Sequence, residues 1–212
     1  MQSPGDNNSS KQKNADSEVW RHIEEANELS DKATETEGKA ADQLFEQAYS
    51  KYDAALKLEP ELHDALFNWA SALIEQAATK TGEEADGLYV KAYEKYEAAL
   101  RLEPDDFETL HNWGVALMEQ AEVKDAAERD QLLRQAEERL TSAESISSGI
   151  SAYVLAGLTA LQGREEDCKK WLMKAKESGE LAELADEDIL DLDPDFDSVR
   201  DKDWYREIVD SL

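Results

Sequence analysis

Small and apolar residues recur along the first half of the chain at the three- and four-residue spacing of an amphipathic helix. Ser17 can cap a helix that runs to about Glu37, with its stripe at Trp20, Ile23, Ala26, Leu29 and Ala33. Gly38 ends this stripe, and a second helical pattern follows from about Ala40 to Leu58. The pattern predicts a pair of helices joined by a short turn.

A stretch of this pattern occurs twice. Residues 49–73 read YSKYDAALKLEPELHDALFNWASAL, and residues 93–117 read YEKYEAALRLEPDDFETLHNWGVAL. Equivalent positions lie 44 residues apart, and the same shift reveals a degraded copy at the front, with these sets: Ala26, Ala70 and Gly114; Leu29, Leu73 and Leu117; Ala33, Ala77 and Ala121; Ala48, Ala92 and Ala136; Tyr52, Tyr96 and Leu140; Ala55, Ala99 and Ala143. Small residues repeat where two helices approach closely, and large ones where a gap is filled.

The repeats predict a domain organisation. Repeat 1 spans about 17–60, repeat 2 about 61–104 and repeat 3 about 105–148. A shorter repeat 4, 149–178, carries stripes at Tyr153, Ala156, Gly157 and Leu161 and at Cys168, Leu172 and Ala175, with a turn at Gly163. Residues 1–16 are polar and are expected to be flexible. Residues 179–212 are acidic yet contain many large apolar side chains, so we expect a folded helical cap, as a stacked array requires at its end.

The repeats resemble the tetratricopeptide repeat family. The resemblance lies in the small residue after an aromatic on the first helix (Trp69-Ala70, Trp113-Gly114), and in Ala92, Tyr96 and Ala99 followed by Pro104 on the second. It covers about residues 17–178, and the ending LDPDFDSVRDKDWYREIV is similar to closing segments of such arrays. The first three repeats are each about ten residues longer than the usual ~34, and the fourth lacks the extra length. The resemblance implies an all-α superhelical solenoid of antiparallel helix pairs, with four repeats and a cap.

The net charge of the chain limits the classes of partner that it is expected to bind. A formal net charge of −27 disfavours nucleic acid, because phosphate binding needs clustered Lys and Arg, and it favours a basic partner. The acidity can equally serve solubility alone. No apolar run reaches the ~20 residues needed to span a bilayer, so no membrane insertion is expected. The N-terminus lacks a signal-peptide core, and the single cysteine fits a reducing compartment. We therefore expect a cytoplasmic protein, or one of a soluble organelle interior if a targeting segment has been removed.

Catalytic and metal chemistry find little support in the sequence. The three histidines, His22, His63 and His111, lie in different repeats without ligand spacing. Cys168 occupies a close-contact position and is expected to be a buried thiol. The alternating Asp191, Asp193, Asp195 and Asp197 resemble the start of a calcium loop, but Phe196 and Lys202 stand where Gly and Glu are required. We expect no enzyme, no cofactor and no metal, and we assign Trp69, Trp113 and the repeat tyrosines to packing.

In the family that the chain resembles, the first helices line a concave groove that holds peptides. The resemblance places the following residues there: Asn27, Asp64, Phe67, Asn68, Ser71, Glu75, Glu108, His111, Asn112, Val115 and Glu119. The amides of Asn68 and Asn112, one repeat apart, can pair with the N–H and C=O groups of an extended peptide or instead bond to neighbouring helices. The family's capture of a terminal carboxylate is not expected, because Ile23, Glu108 and Asn112 stand at its basic positions.

These features predict a non-catalytic scaffold or adaptor that binds another protein, through an extended basic segment, in an acidic, amide-lined groove. The alternative is a structural module that self-associates through the first helix, with Trp20 and Ile23 as the contact. The oligomeric state would distinguish the two functions.

Overall fold

The computed structural model describes residues 4–179, 181 and 192–211, with side chains from residue 17 onward. The described residues are helical and contain no strand, which confirms the expected all-α class. The helices are α1 (Pro4–Thr34), α2 (Gly38–Leu58), α3 (His63–Ala78), α4 (Glu83–Leu102), α5 (Phe107–Glu122), α6 (Ala126–Ile146), α7 (Ala152–Leu161), α8 (Glu165–Ser178), the 3₁₀ turn η1 (Pro194–Phe196) and α9 (Asp203–Val209).

Consecutive helices pack in pairs: α1 with α2, α3 with α4, α5 with α6 and α7 with α8. This is the packing expected of a helical repeat. The small residues that recur every 44 positions are fully buried in these pairs: Ala26, Ala48, Ala70, Ala92 and Ala136 are all 0% exposed. The larger members of the same register, Tyr52, Tyr96 and Leu140, are buried at 1%, 2% and 0%. The repeat register read from the sequence is thus the packing register of the helix pairs.

Two Glu-Pro steps end helices at the expected places. Glu59 and Glu103 follow the last residues of α2 and α4, and both have left the helical conformation, with φ of −135° and −127°. A proline disfavours the helical conformation of the residue before it, because its ring crowds that residue's backbone. The chain therefore leaves each helix at the glutamate and enters the next helix a few residues later.

The first helix differs from the prediction in its start and its face. It begins at Pro4 rather than at Ser17, because a proline is tolerated in a first turn and the Lys, Gln and Ala that follow continue a helix. Its buried stripe passes through Val19 and Ile23, while Trp20 is 46% exposed. The prediction that Trp20 belongs to the packed stripe was wrong because Val19, one position earlier, takes the place facing α2.

The chain forms two compact halves, Met1–Pro104 and Asp105–Leu212. In the N-terminal half, one core cluster joins Ala26, Ala48, Tyr52 and Ala72, with Trp69 packed against it. A second joins Val19, Ile23, Ala55 and Ala65. Each cluster draws on three helices, so α3 completes the core of the pair before it.

In the C-terminal half, the last residues pack onto repeat 4. Phe196, Val199, Tyr205 and Ile208 share one buried cluster with the helices α7 and α8, which contribute Ala152, Ala156, Ala160, Cys168, Leu172 and Ala175. Arg200 secures the turn by donating to the backbone oxygen of Asp193. The cap residues Leu184, Ile189 and Leu190 lie outside the described residues. No helix in the described part of the chain is long and apolar enough to cross a membrane.

Candidate functional site

The N-terminal half contains a polar depression between α1, α2 and α3, which we call the amide depression. Its cavity volume is about 250 Å³. It unites four of the predicted groove residues with neighbours that the prediction omitted; its lining is Asn27, Ser30, Asp31, Tyr52, Asn68, Ser71, Ala72 and Glu75. None of the described lysines, arginines or histidines lines it.

Hydrogen bonds hold part of this lining in place. The Tyr52 hydroxyl donates to Oδ1 of Asn27 at 2.6 Å, which turns the NH₂ group of that amide away from the tyrosine. Ser71 Oγ lies 3.3 Å from the carbonyl oxygen of Phe67 and 3.4 Å from the hydroxyl of Tyr96. Asn27 therefore contacts its neighbouring helix, one of the two possibilities open for such amides, but its NH₂ keeps two donors for a ligand.

Two carboxylates in the amide depression have no counter-charge. Neither Asp31 nor Glu75 forms a salt bridge with another described residue, although their half of the chain contains several salt bridges. The Glu75 side chain reaches water, but the surrounding protein restricts its hydration. The restricted hydration and the nearby charge of Asp31 both raise the pKa of Glu75. The site thus has an uncompensated negative charge.

The C-terminal half contains a second hollow, which we call the cap depression, with a volume of about 170 Å³. The helices α5 and α7 and the turn η1 form it, and its lining is Val115, Met118, Glu119, Glu122, Tyr153, Val154, Gly157, Leu161, Asp193, Asp195 and Phe196. Gly157 allows Asp195 to approach, because a Cβ at that position would lie 3.0 Å from the Asp195 carboxylate. This hollow combines apolar walls with four carboxyl groups.

Burial acts on the acids of the cap depression as well. It raises the pKa of Asp195 to about 6, with the nearby Asp193 and Glu122 adding to the shift. Restricted hydration and Glu122 also raise the pKa of Glu119. Asp193 is better satisfied, since it accepts a hydrogen bond from the Tyr153 hydroxyl at 2.5 Å and one from the backbone N–H of Asp195 at 3.0 Å. Asp193 thereby caps η1.

The remaining predicted groove residues line neither hollow. Phe67 stacks on His63 at a centroid distance of 6.2 Å, and Asp64 lies exposed beside the same histidine. His111 Nδ1 lies 2.8 Å from Ser151 Oγ, and burial lowers the pKa of the imidazole. Glu108 is exposed and Asn112 is half-buried. His111 is therefore engaged within its own half of the chain, and four other predicted residues stand apart from the hollows.

The repeat tryptophans have structural partners. Trp69 stacks between Tyr49 and Tyr52 with centroids 6.2 Å away in each case. The ammonium of Lys95 lies 3.8 Å from its ring centroid, and the guanidinium of Arg139 lies 4.1 Å from that of Trp113. Lys95 and Arg139 are 44 positions apart, as are the two tryptophans, so the cation over the indole belongs to the repeat.

The repeat spacing marks one acidic residue that the sequence prediction omitted. Asp31, Glu75 and Glu119 are spaced by 44 residues, so the shift that aligns the core also aligns them. The prediction contained Glu75 and Glu119 but omitted Asp31. Asp193 and Asp195 had no such signal, because the fold of the cap alone brings them to α5 and α7. Among the described residues there is no cluster of three or more His, Cys, Asp or Glu able to hold a metal ion.

No protein-family model matches the sequence, and no curated protein matches it significantly. The function of the chain is therefore inferred from its own residues.

Proposed function

We propose that the chain is a non-catalytic helical-repeat scaffold of the tetratricopeptide kind that binds an extended basic segment of another protein. One observation carries this proposal. Asn27, Asn68, Ser71 and Glu75 meet in one depression whose two carboxylates lack a counter-charge among the described residues. A basic segment supplies that charge, and its backbone can pair with the amides.

The C-terminal half supports the same class of ligand. Val115 and Glu119 belong to the cap depression, where apolar walls surround carboxyl groups with raised pKa values. A lysine or arginine side chain has an apolar stem and a charged end, so it is suited to such a hollow. The net charge of −27 favours encounter with a basic partner over distances up to a Debye length of about 8–10 Å.

The proposal is tested with a panel of extended peptides that differ in basic content, measured by stopped-flow and equilibrium fluorescence at low and high salt. We expect micromolar affinity, about −8 kcal/mol at 1 μM, that weakens strongly with salt. The double variant Glu108→Lys, Glu119→Lys should mainly slow association, because it weakens electrostatic steering. The double variant Asn68→Ala, Asn112→Ala should mainly speed dissociation. Unchanged binding in both variants would exclude the groove as the binding site.

A self-associating structural module remains the second candidate. Trp20 favours it, since this tryptophan is 46% exposed on α1, but Ile23 is 3% exposed and is not available as a contact. Light scattering over a hundredfold range of protein concentration distinguishes the two functions. A stable dimer in the native chain that Trp20→Ala converts to a monomer would support self-association.

A further inference from the structure

The lining of the amide depression contains a buried hydroxyl that is poorly satisfied. Ser30 is 5% exposed, and its Oγ makes no hydrogen bond of ordinary length and angle with a described residue, although it lies near enough to the Tyr52 hydroxyl to offset part of the rise that burial causes in the pKa of that group. A helical serine usually bonds to the carbonyl one turn earlier, and Ser30 does not. Leaving a buried polar group unpaired is unfavourable, so such a group calls for an explanation.

The groups around Ser30 are mainly acceptors. Asp31 and Glu75 contribute carboxylates without a counter-charge, and Asn68 contributes a side-chain amide whose oxygen can accept a hydrogen bond. The positive group that best satisfies separate acceptors from two helices is compact and carries several donors. An ammonium has three donors around one charge, whereas a guanidinium presents its donors in a flat fork that matches both oxygens of a single carboxylate.

Other ligand classes fit less well. Two carboxylates are too few for a calcium ion, which takes six to eight oxygen ligands. A cage for methylated lysine requires open aromatic faces, but Tyr52 stacks on Trp69 at an interplanar angle of 19° and its hydroxyl is bonded to Asn27. The volume of about 250 Å³ is also smaller than that of a typical drug-sized pocket.

We propose that the amide depression binds the side-chain ammonium of a lysine through Asp31, Glu75, Asn68 and Ser30. This inference rests on the proposed function, because the lysine belongs to the basic segment described there. The NH₂ group of Asn27 donates to a backbone carbonyl of the same segment. Ser30 is then a binding residue that the free protein leaves poorly satisfied.

Nuclear magnetic resonance of the full chain, labelled with ¹⁵N at asparagine side-chain amides, tests the site directly. The probe is pentalysine amide, and penta-arginine amide and penta(trimethyl-lysine) amide are compared with it. The amide signals of Asn68 and Asn27, assigned by single substitutions, should shift saturably with pentalysine. Penta-arginine should bind at least threefold more weakly, and the trimethylated peptide, which lacks ammonium donors, should leave both signals in place.

Substitutions identify the groups that hold the ammonium. Asp31→Asn and Glu75→Gln should each weaken pentalysine binding by about tenfold or more, as expected for hydrogen bonds to a charged group. Glu28→Gln is the matched control, because Glu28 lies exposed on the same helix outside the depression; it should change affinity by less than twofold. Ser30→Ala should weaken binding while raising the melting temperature, since it removes a poorly satisfied buried hydroxyl.

The outcomes separate this inference from the proposed function. If pentalysine binds but the Asn68 signal stays in place, or Asp31→Asn and Glu75→Gln bind it as the native chain does, the lysine site is wrong and the basic-segment function stands. Equal or tighter binding of penta-arginine at the Asn68 signal overturns the choice of lysine. If no signal anywhere in the protein responds to either basic peptide, both the site and the proposed function fail.

Discussion

Two kinds of carboxylate can be distinguished at the scale of single residues. Glu144 is 3% exposed and fully engaged: it pairs with Lys174 at 2.8 Å and accepts from the backbone N–H groups of Gly149 and Ser151. Burial alone would raise its pKa, but these three donors outweigh burial and lower it. Asp31, Glu75 and Glu119 are exposed instead, and no described residue donates to their carboxylates. Glu144 is thus satisfied within the fold, whereas these three carboxylates are accessible from solvent.

The ionisation of Asp195 is expected to make the stability of the protein depend on pH. Its pKa in the folded protein is about 6, above the ordinary 3.8, so the folded state holds this proton more tightly than the unfolded state does. Its ionisation therefore destabilises the fold progressively as the pH rises from about 4 to about 6, and by of order 2–3 kcal/mol above that window. Asp195→Asn should raise the free energy of unfolding by about that amount at pH 7.5 and leave it nearly unchanged at pH 4.

Urea unfolding of both proteins at several pH values measures this difference. Asp197→Asn is the matched control, because Asp197 is exposed in the same segment and its ion pair with Arg200 is at the surface. The control should change stability by less than about 0.5 kcal/mol at either pH. A constant difference between the native protein and Asp195→Asn from pH 4 to pH 7.5 would show that Asp195 titrates normally.

At the scale of helices, the close approach of α5 and α6 depends on Gly114. A Cβ at this position would lie 2.5 Å from Cγ and 2.8 Å from Cδ2 of Leu140. Repeats 1 and 2 have alanine at the position of Gly114 and tyrosine at the position of Leu140. Both residues of this contact therefore differ in repeat 3. Gly114→Ala should therefore destabilise the protein by about 1–3 kcal/mol despite the better helix propensity of alanine.

Gly87→Ala provides the comparison. Gly87 lies inside α4, and nothing lies within 4 Å of a Cβ built on it. This variant should gain about 0.5–1 kcal/mol from helix propensity alone. Thermal unfolding followed by circular dichroism reports both changes. If Gly114→Ala is as stabilising as Gly87→Ala, the packing of α5 against α6 is looser than described.

At the scale of the whole molecule, the C-terminal cap protects the apolar face of repeat 4. Phe196 and Tyr205 pack into the cluster that buries Cys168 completely. Burial and the nearby Glu165 raise the pKa of the Cys168 thiol to about 12, so little thiolate forms at neutral pH. The thiol therefore reports whether the cap is in place.

A chain that ends after Gly179 should expose this cluster, aggregate at micromolar concentration and react quickly with an aromatic disulfide reagent at Cys168. The full chain should react at least a hundredfold more slowly. The variant Phe196→Ala keeps the whole chain, so it gives an intermediate rate if truncation abolishes folding. A truncated protein that stays monomeric with an unreactive thiol would show that the cap is dispensable.

Much of the local fold follows from the sequence alone. The 44-residue register determined which residues would be buried, because α-helices repeat their facing positions and each pair reuses the same close contact. The 44-residue shift alone identified Ala26, Ala70 and Gly114 as equivalent buried positions. The same 44-residue spacing relates Asp31 to Glu75 and Glu119, and Lys95 to Arg139, but the surroundings of these residues became clear only from the structure.

Only the tertiary structure decided the rest. The buried face of α1 lies one position away from the predicted one. Val19 and Trp20 are both apolar, and only the packing against α2 selects Val19 as the buried residue. The poorly satisfied hydroxyl of Ser30 depends on three helices at once, and no spacing along the chain reveals it. Asp193 and Asp195 reach α5 and α7 because the cap folds back over repeat 4, across a sequence distance that no helical period spans.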